Sequence, residues 1–347
     1  MSKRIGWDIG GAHLKAALLN EHGELIQVLQ LACPLWMGLG YLESAITDAL
    51  QAFKIKPSGA DHAVTMTGEL VDCFANRHDG VIAIASLAAK LLGKDTLFYA
   101  ANHDLVALAR VSALTPYIAS TNWHASASAL AMQVDDALFI DIGSTTTDII
   151  AISNGKVNST NLSDAARMAD DSLVYTGVVR TPVMALAQKL AFEGAQINVA
   201  AEYFATMADV YRITGELLPH HDMSDTADGK GKTALESARR LARMVGHDVE
   251  TKPTETWKTL AQSCKTVQMQ QIKTAVAKHL KPNMTIIGAG TGSFLVQQIA
   301  YEFEFNSKHA YQPISTYFSG HINATKKQDL ELCFPAYAVA TLALQHA

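Results

Sequence analysis

The sequence predicts a two-domain α/β protein in which each domain is a mixed sheet faced by helices. Three observations predict it. The chain has 347 residues, more than the roughly 250–300 at which single cores stop growing. Three meandering strands followed by alternating helices and strands open the chain, and the same order of elements begins again near residue 137. One strand–turn–strand unit also recurs, at Asp8-Ile9-Gly10-Gly11 and at Asp141-Ile142-Gly143-Ser144, with its first residues at 8 and 141, 133 residues apart. That spacing is about the length of a domain, as a duplicated fold leaves it. The expected domains are residues 1–134 and 135–347. The second carries a helical insert at roughly 163–254.

The first domain reads as strands at 4–8, 13–20, 25–32, 63–67 and 96–100, with helices at 41–53 and 81–92. Gly10-Gly11 and His22-Gly23 mark tight turns between the opening strands, because glycine enters the φ > 0 conformations such turns use. Gly93 is the expected stop of the second helix. A helical stretch at 121–133 leads into the second domain. Strands are expected there at 137–141, 145–152, 156–162, 285–288 and 314–318, with helices at 256–279, 293–303 and 335–346. In the insert, a helix over 199–214 would place Tyr203, Phe204, Met207, Val210 and Tyr211 on one stripe, either a packing face or a wall for an aromatic ligand. Residues 226–232 are expected to form a flexible loop.

Composition narrows the function. Hydrophobic residues at 49% and charged residues at 18% are a globular balance and argue against long disorder. A net charge of −5 without a basic tract lacks the footprint that phosphate-backbone binding needs, so no nucleic-acid partner is expected. The apolar runs are short and broken, so no membrane span is expected. The start lacks the apolar stretch and cleavage site of a signal peptide, so the expected location is the cytoplasm. The four cysteines are far apart in sequence and are expected to be reduced. His220-His221-Asp222 has no paired metal spacing and reads as a solvated loop.

The repeated hairpin carries the chemistry. Small residues at each bend expose consecutive backbone N–H groups that can cradle phosphate oxygens. These are Gly10 and Gly11 in the first copy, and Gly143, Ser144, Thr145 and Thr146 in the second. A carboxylate at the mouth of such a turn repels phosphate unless a cation intervenes. Asp8 and Asp141 are therefore expected to bind Mg²⁺, directly or through water. Two such hairpins facing each other would hold one metal–phosphate cluster between the domains. Lys15 adds a cation seven residues after Asp8, where the second copy has Asp148. The third piece, Gly288-Ala289-Gly290-Thr291-Gly292, runs from an apolar strand into a helix and brings backbone N–H groups to a nucleotide or another anion. It is not the full dinucleotide fingerprint and comes late in the chain.

These three pieces, in this order, resemble the phosphate and adenosine motifs of the actin/sugar-kinase/Hsp70 (ASKHA) superfamily, which implies two RNase H-like domains with a cleft between them. Within it the chain resembles the hydantoinase/oxoprolinase-related branch. It is most similar to the tetrahydromethanopterin-linked C1 transfer pathway proteins, whose archaeal relatives make the methanofuran core. The stretches at 64–70, 122–127, 175–182 and 226–230 support that likeness. The resemblance implies a Mg²⁺-dependent transferase joining an aminomethyl-furanmethyl diphosphate to the phenol oxygen of a tyramine- or tyrosine-derived acceptor, with release of diphosphate. Such a reaction needs a base near the phenol, and Glu69 and Asp148 are the candidates. An ATP-dependent small-molecule kinase or hydrolase fits the same hairpins, as does a non-catalytic nucleotide switch, because turn spacing does not separate diphosphate from ATP.

Overall fold

The computed structural model describes residues 2–159, 161–282, 284–307, 310–318 and 324–346. The chain divides into two compact units. One comprises Met1–Ala137, Ile150–Arg167 and Pro313–Ala347, and the other Leu138–Ile149 and Met168–Gln312. The main division, at Ala137/Leu138, lies beside the expected boundary at 134/135. The return of 313–347 to the first unit is an exchange that a single cut does not describe.

The first unit is built on one six-stranded sheet. Its strands are β1 (Lys3–Ile9), β2 (His13–Leu19), β3 (Leu25–Ala32), β4 (Ala60–Met66), β5 (Leu97–Tyr99) and β6 (Leu105–Ala107). Their order is β3-β2-β1-β4-β5-β6. The opening three strands pair antiparallel, whereas β4 and β5 join parallel. Such parallel joins need crossovers, and the helices Leu39–Phe53 and Arg77–Leu92 supply them. Leu42, Ile46, Val81 and Ile84 of these helices are fully buried with Ile5, Trp7 and Ile9 of β1 in one core. Each such side chain contributes on the order of 1.5–3 kcal/mol. The helix Phe334–Ala343 packs on β1, β2 and β4 and also meets the helix Asn122–Ala131. The helix Arg77–Leu92 starts where the Asn76 side chain accepts a hydrogen bond from the Asp79 N–H, and Gly93 ends it as expected. Strand β6 was not anticipated; its three residues are too few to show a period.

The second unit holds β7 (Ala137–Ile142), β8 (Thr147–Ser153), β9 (Lys156–Val157), β10 (Leu173–Val174), β11 (Lys189–Phe192), β12 (Ala195–Asn198), β13 (Thr285–Ala289) and β14 (Tyr311–Pro313), with the far end of β8 and β9 counting with the first unit. The sheet order is β10-β8-β7-β13-β14, with β9 also on β8. The expected strand at 156–162 stops at Val157, and β10 pairs with the start of β8 instead. The expected strand at 314–318 is a short helix, Ser315–Phe318. Five residues are too few to show a period that separates the two, and β14 already fills the edge position. The long helix is Thr254–His279.

The insert departs from expectation in three places. Helix begins only at Met207, where Thr206 and Asp209 form a capping box. Met207, Val210 and Tyr211 are buried while Tyr203 is exposed, so the stripe packs. Residues 189–198 form the β11–β12 hairpin. Residues 226–232 are anchored rather than free, because Asp228 accepts a 2.9 Å hydrogen bond from Arg240 Nη1. Arg240 also reaches Asp209, and Arg212 binds both Asp209 and Asp222. Asp222 is thus buried in an ion cluster and not in a solvated loop.

All four cysteines are free thiols. Burial pushes Cys33 up to about 11 and Cys264 and Cys333 up to about 12, whereas Cys73 is exposed. Among the described residues no helix is long and apolar enough to cross a membrane.

Candidate active site

In the first unit, the Gly10 N–H donates to the His13 carbonyl at 3.0 Å and closes the turn. The turn's own carbonyls are held from outside, since Leu35 N donates to Gly11 O and Cys33 N to Ala12 O. Asp8 stands at the centre of a row running across three strands, paired with Lys15 on β2 and Thr65 on β4. It is buried, and Asn122 Nδ2 donates to its Oδ1 at 3.3 Å. The Thr65 hydroxyl has no hydrogen-bond partner among the described residues.

Glu69 follows directly. The Thr67 N–H donates to the Ile9 carbonyl, and the chain then enters a short 3₁₀ turn, Gly68–Leu70, beside the first hairpin. A β-carbon on Gly68 would lie 3.1 Å from the Gly10 carbonyl oxygen, so that approach depends on glycine. Glu69 is 1% exposed. Ser120 Oγ donates to its Oε1 at 2.7 Å and reaches Asp164 Oδ2 at 3.4 Å. Arg77 holds that same Asp164 oxygen at 2.6 Å. Burial pushes the Glu69 carboxyl up to about 7, and Asp164 adds to the rise against the pull of Ser120 and Arg77. Its Oε2 has no hydrogen-bond partner among the described residues.

Beside this cluster, Tyr99 Oη lies 2.8 Å from His124 Nδ1, and the Arg167 guanidinium stacks 3.9 Å over the Trp123 ring. Burial, with Arg167 nearby, drops His124 to about 4, so the imidazole is neutral at physiological pH.

The second hairpin repeats the turn of the first, with Gly143 N donating to Thr146 O at 2.8 Å. Its carbonyls are likewise held from outside. Val178 N donates to Gly143 O, while Val179 N and Arg180 N both donate to Ser144 O. Gln268 fixes that crossing segment, its Nε2 donating to Thr176 Oγ1 at 2.8 Å and to Gly177 O at 2.9 Å. Tyr211 Oη in turn donates to Gln268 Oε1. The Gly-rich turn packs on the same strand end. Gly290 has φ +85°, and a β-carbon there would lie 2.2 Å from Asp141 Oδ1. Gly292 N donates to Ile142 O at 2.8 Å. Gly290 and Gly292 are therefore required by the close fit to Asp141 and Ile142, whatever else the turn binds.

Of the expected site residues, Asp8, Gly10, Gly11, Lys15 and Glu69 gather in the first unit. Asp141, Gly143, Ser144, Thr145, Thr146, Gly288, Gly290, Thr291 and Gly292 gather in the second. Asp148 lies further along β8, paired with Leu173 of β10. Sequence reasoning missed Ser120, Asn122 and Asp164, which meet the carboxylates from distant segments. It also missed Gln268, a fully buried amide on a long helix. Among the described residues no three His, Cys, Asp or Glu side chains converge as a metal cage.

The sequence profile of the hydantoinase/oxoprolinase family matches residues 61–321. The chain belongs to that family. It is 28% identical to the (4-{4-[2-(gamma-L-glutamylamino)ethyl]phenoxymethyl}furan-2-yl)methanamine synthase of Methanocaldococcus jannaschii, over 97% of this chain and 96% of the relative. It is 35% identical to the Methanococcus vannielii protein of the same name over 33% of this chain and 51% of that one. Among solved structures, nucleotide-free acetone carboxylase superposes with a TM-score of 0.52 at 10% identity, over 88% of this chain and 67% of that chain. This last likeness speaks for the fold alone. The chain's own fold is the mixed α/β type, with sheets faced by helices, expected from the repeated order of elements.

Proposed function

We propose that the chain is a transferase of methanofuran-type cofactor biosynthesis. It would join an aminomethyl-furanmethyl diphosphate to the phenol oxygen of a tyramine- or tyrosine-derived acceptor and release diphosphate. The observation that carries this reading is the similarity, across nearly the full length of both chains, to a synthase whose product contains that phenoxymethyl-furan ether.

The residues support the chemistry. Gly10 and Gly143 spend their own N–H groups inside the turns, so phosphate oxygens would be met by Gly11 in the first hairpin and by Ser144, Thr145 and Thr146 in the second. Asp8 and Asp141, each at the mouth of its own hairpin, would be Mg²⁺ ligands, and the metal when bound would supply neutralisation of the departing diphosphate's charge. The furan spreads developing positive charge at the breaking C–O bond. The phenol oxygen forms the new C–O bond and its proton goes to Glu69, whose carboxyl is held near neutrality by burial. Asp148 is the less favoured base because its place on β8 is set by the ladder with β10.

A second reading, an ATP-dependent kinase or hydantoinase/oxoprolinase-like hydrolase, is favoured by the family match. Two parallel incubations separate the two. Purified protein with the furanmethyl diphosphate, a tyramine acceptor and Mg²⁺ should yield the ether by mass spectrometry and one equivalent of diphosphate. Absence of the ether, together with stoichiometric ADP when ATP and acceptor are supplied, would replace this reading by the second.

A further inference from the structure

Ser120 stands in a conformation that serine rarely takes. Its φ is +52°, in the left-handed region that costs a residue with a β-carbon roughly 1–2 kcal/mol. The residue is buried, and its hydroxyl bonds Glu69 Oε1 at 2.7 Å with Asp164 Oδ2 at 3.4 Å. The first turn of the helix Arg77–Leu92 closes on the Glu69 main chain, where a β-carbon on Gly80 would come within 2.9 Å of the Glu69 Cα. The backbone of Glu69 is thus packed by the helix and one carboxyl oxygen is tied by Ser120, while Oε2 has no hydrogen-bond partner among the described residues. Strain kept at a buried polar contact is the kind of feature that clusters at functional sites.

We propose that Ser120 is a positioning residue for the transfer, tying one oxygen of Glu69 so that the other is presented to the hydroxyl of the acceptor. This rests on the reading of Glu69 as the base. The charged groups that face Glu69 are Arg77, on the helix Arg77–Leu92, and Asp164, on the helix Asp164–Ala169. Ser120 favours the ionised carboxylate by donating to it, whereas Asp164 disfavours it by like charge, so the two set the proton affinity of Glu69 in opposite senses.

The test is carboxyl ¹³C NMR of the ligand-free, metal-free protein labelled at glutamate, with Glu69→Gln to assign the resonance. Ser120→Gly keeps the left-handed backbone and removes the hydroxyl. Glu69 should titrate near 7 in the parent. It should move upward by about 1 pH unit in Ser120→Gly, since the lost hydrogen bond is to a charged group. It should move downward in Asp164→Asn. The acid limb of kcat should follow the same order. A titration unmoved in Ser120→Gly overturns the proposal, even if that variant is less stable. A moved titration with wild-type kcat in Glu69→Gln overturns the base assignment and, with it, the catalytic use of Ser120.

Discussion

Gly177 crosses the second hairpin so closely that a β-carbon on it would lie 2.5 Å from the Thr145 backbone nitrogen. The Thr176-Gly177 segment therefore acts as a mould for the hairpin, and Gln268 and Tyr211 brace it from behind. Gly177→Ala is expected to cost about 1–3 kcal/mol or more through overpacking. It should also weaken diphosphate binding, because Thr145 is pushed out of place. Urea unfolding and calorimetric titration with Mg²⁺ and diphosphate check both. A variant that is destabilised yet binds diphosphate as tightly as the parent would limit the mould to folding.

Asp8→Asn and Asp141→Asn should each lower Mg²⁺-dependent turnover by on the order of 10²-fold or more, as loss of a main electrostatic support does, while leaving the far-ultraviolet circular dichroism unchanged. Turnover measured at limiting Mg²⁺ decides it. Near-parental rates in either variant would remove that residue from the metal assignment.

Lys15 and Asp148 fall seven residues after their strand-end aspartates, yet the structure gives them different surroundings. Lys15 pairs across the ladder with Asp8, so its charge stands beside the first hairpin. Lys15→Ala should raise KM, because the contact with a phosphate oxygen exists before and during the reaction. If Asp148 acts on the metal's water shell or on the acceptor's proton, Asp148→Asn should lower kcat more than it raises KM. Steady-state kinetics of both variants read the difference. A KM unchanged in Lys15→Ala, or an effect of Asp148→Asn confined to KM, would reverse the assignment.

Glu69 also makes the fold pH-dependent. Its carboxyl ionises near 7 in the folded chain, above the ordinary value of 4.5. The folded state therefore binds the proton more tightly than the unfolded one. The stability from this group is fully present below about 4.5 and is lost as pH rises through about 7. The loss is on the order of 3 kcal/mol. Glu69→Gln should abolish activity and, relative to the parent, grow more stable between pH 5 and pH 8. Denaturant midpoints at the two pH values test it, and parallel midpoints would mean the carboxyl is not buried in its charged form.

Much of the fold was legible because its signals are local. The hairpins at Gly10 and Gly143 announce themselves by small residues after an apolar strand, and the helix stop at Gly93 by its lack of a β-carbon. The strand at 314–318 misled because five residues with β-branched and aromatic side chains suit a strand, yet are too few to show a period that separates it from a short helix. The centre of the first site was half legible. Glu69 stood out at the end of β4, but the groups that set its chemistry come from far along the chain, Ser120 from 51 residues away and Asp164 from a further 44 beyond Ser120. Nothing local marks Asp164 as their partner. The positive φ of Ser120 is equally invisible, since serine is an unexpected occupant of that region. The glycines of the late Gly-rich turn were legible as a motif, although their tight seat against Asp141 was not.

The uneven treatment of the four thiols turns the chain into its own reporter. Cys33, Cys264 and Cys333 are sealed in the interior and hold their protons far above neutral pH, while Cys73 is open to solvent four residues beyond Glu69. A maleimide fluorophore added to the native protein would thus settle at one address, next to the first hairpin, without any cysteine having to be engineered in or out. Ligand arrival at that hairpin could then be followed by light alone, in real time, before the chemistry of the acceptor is known.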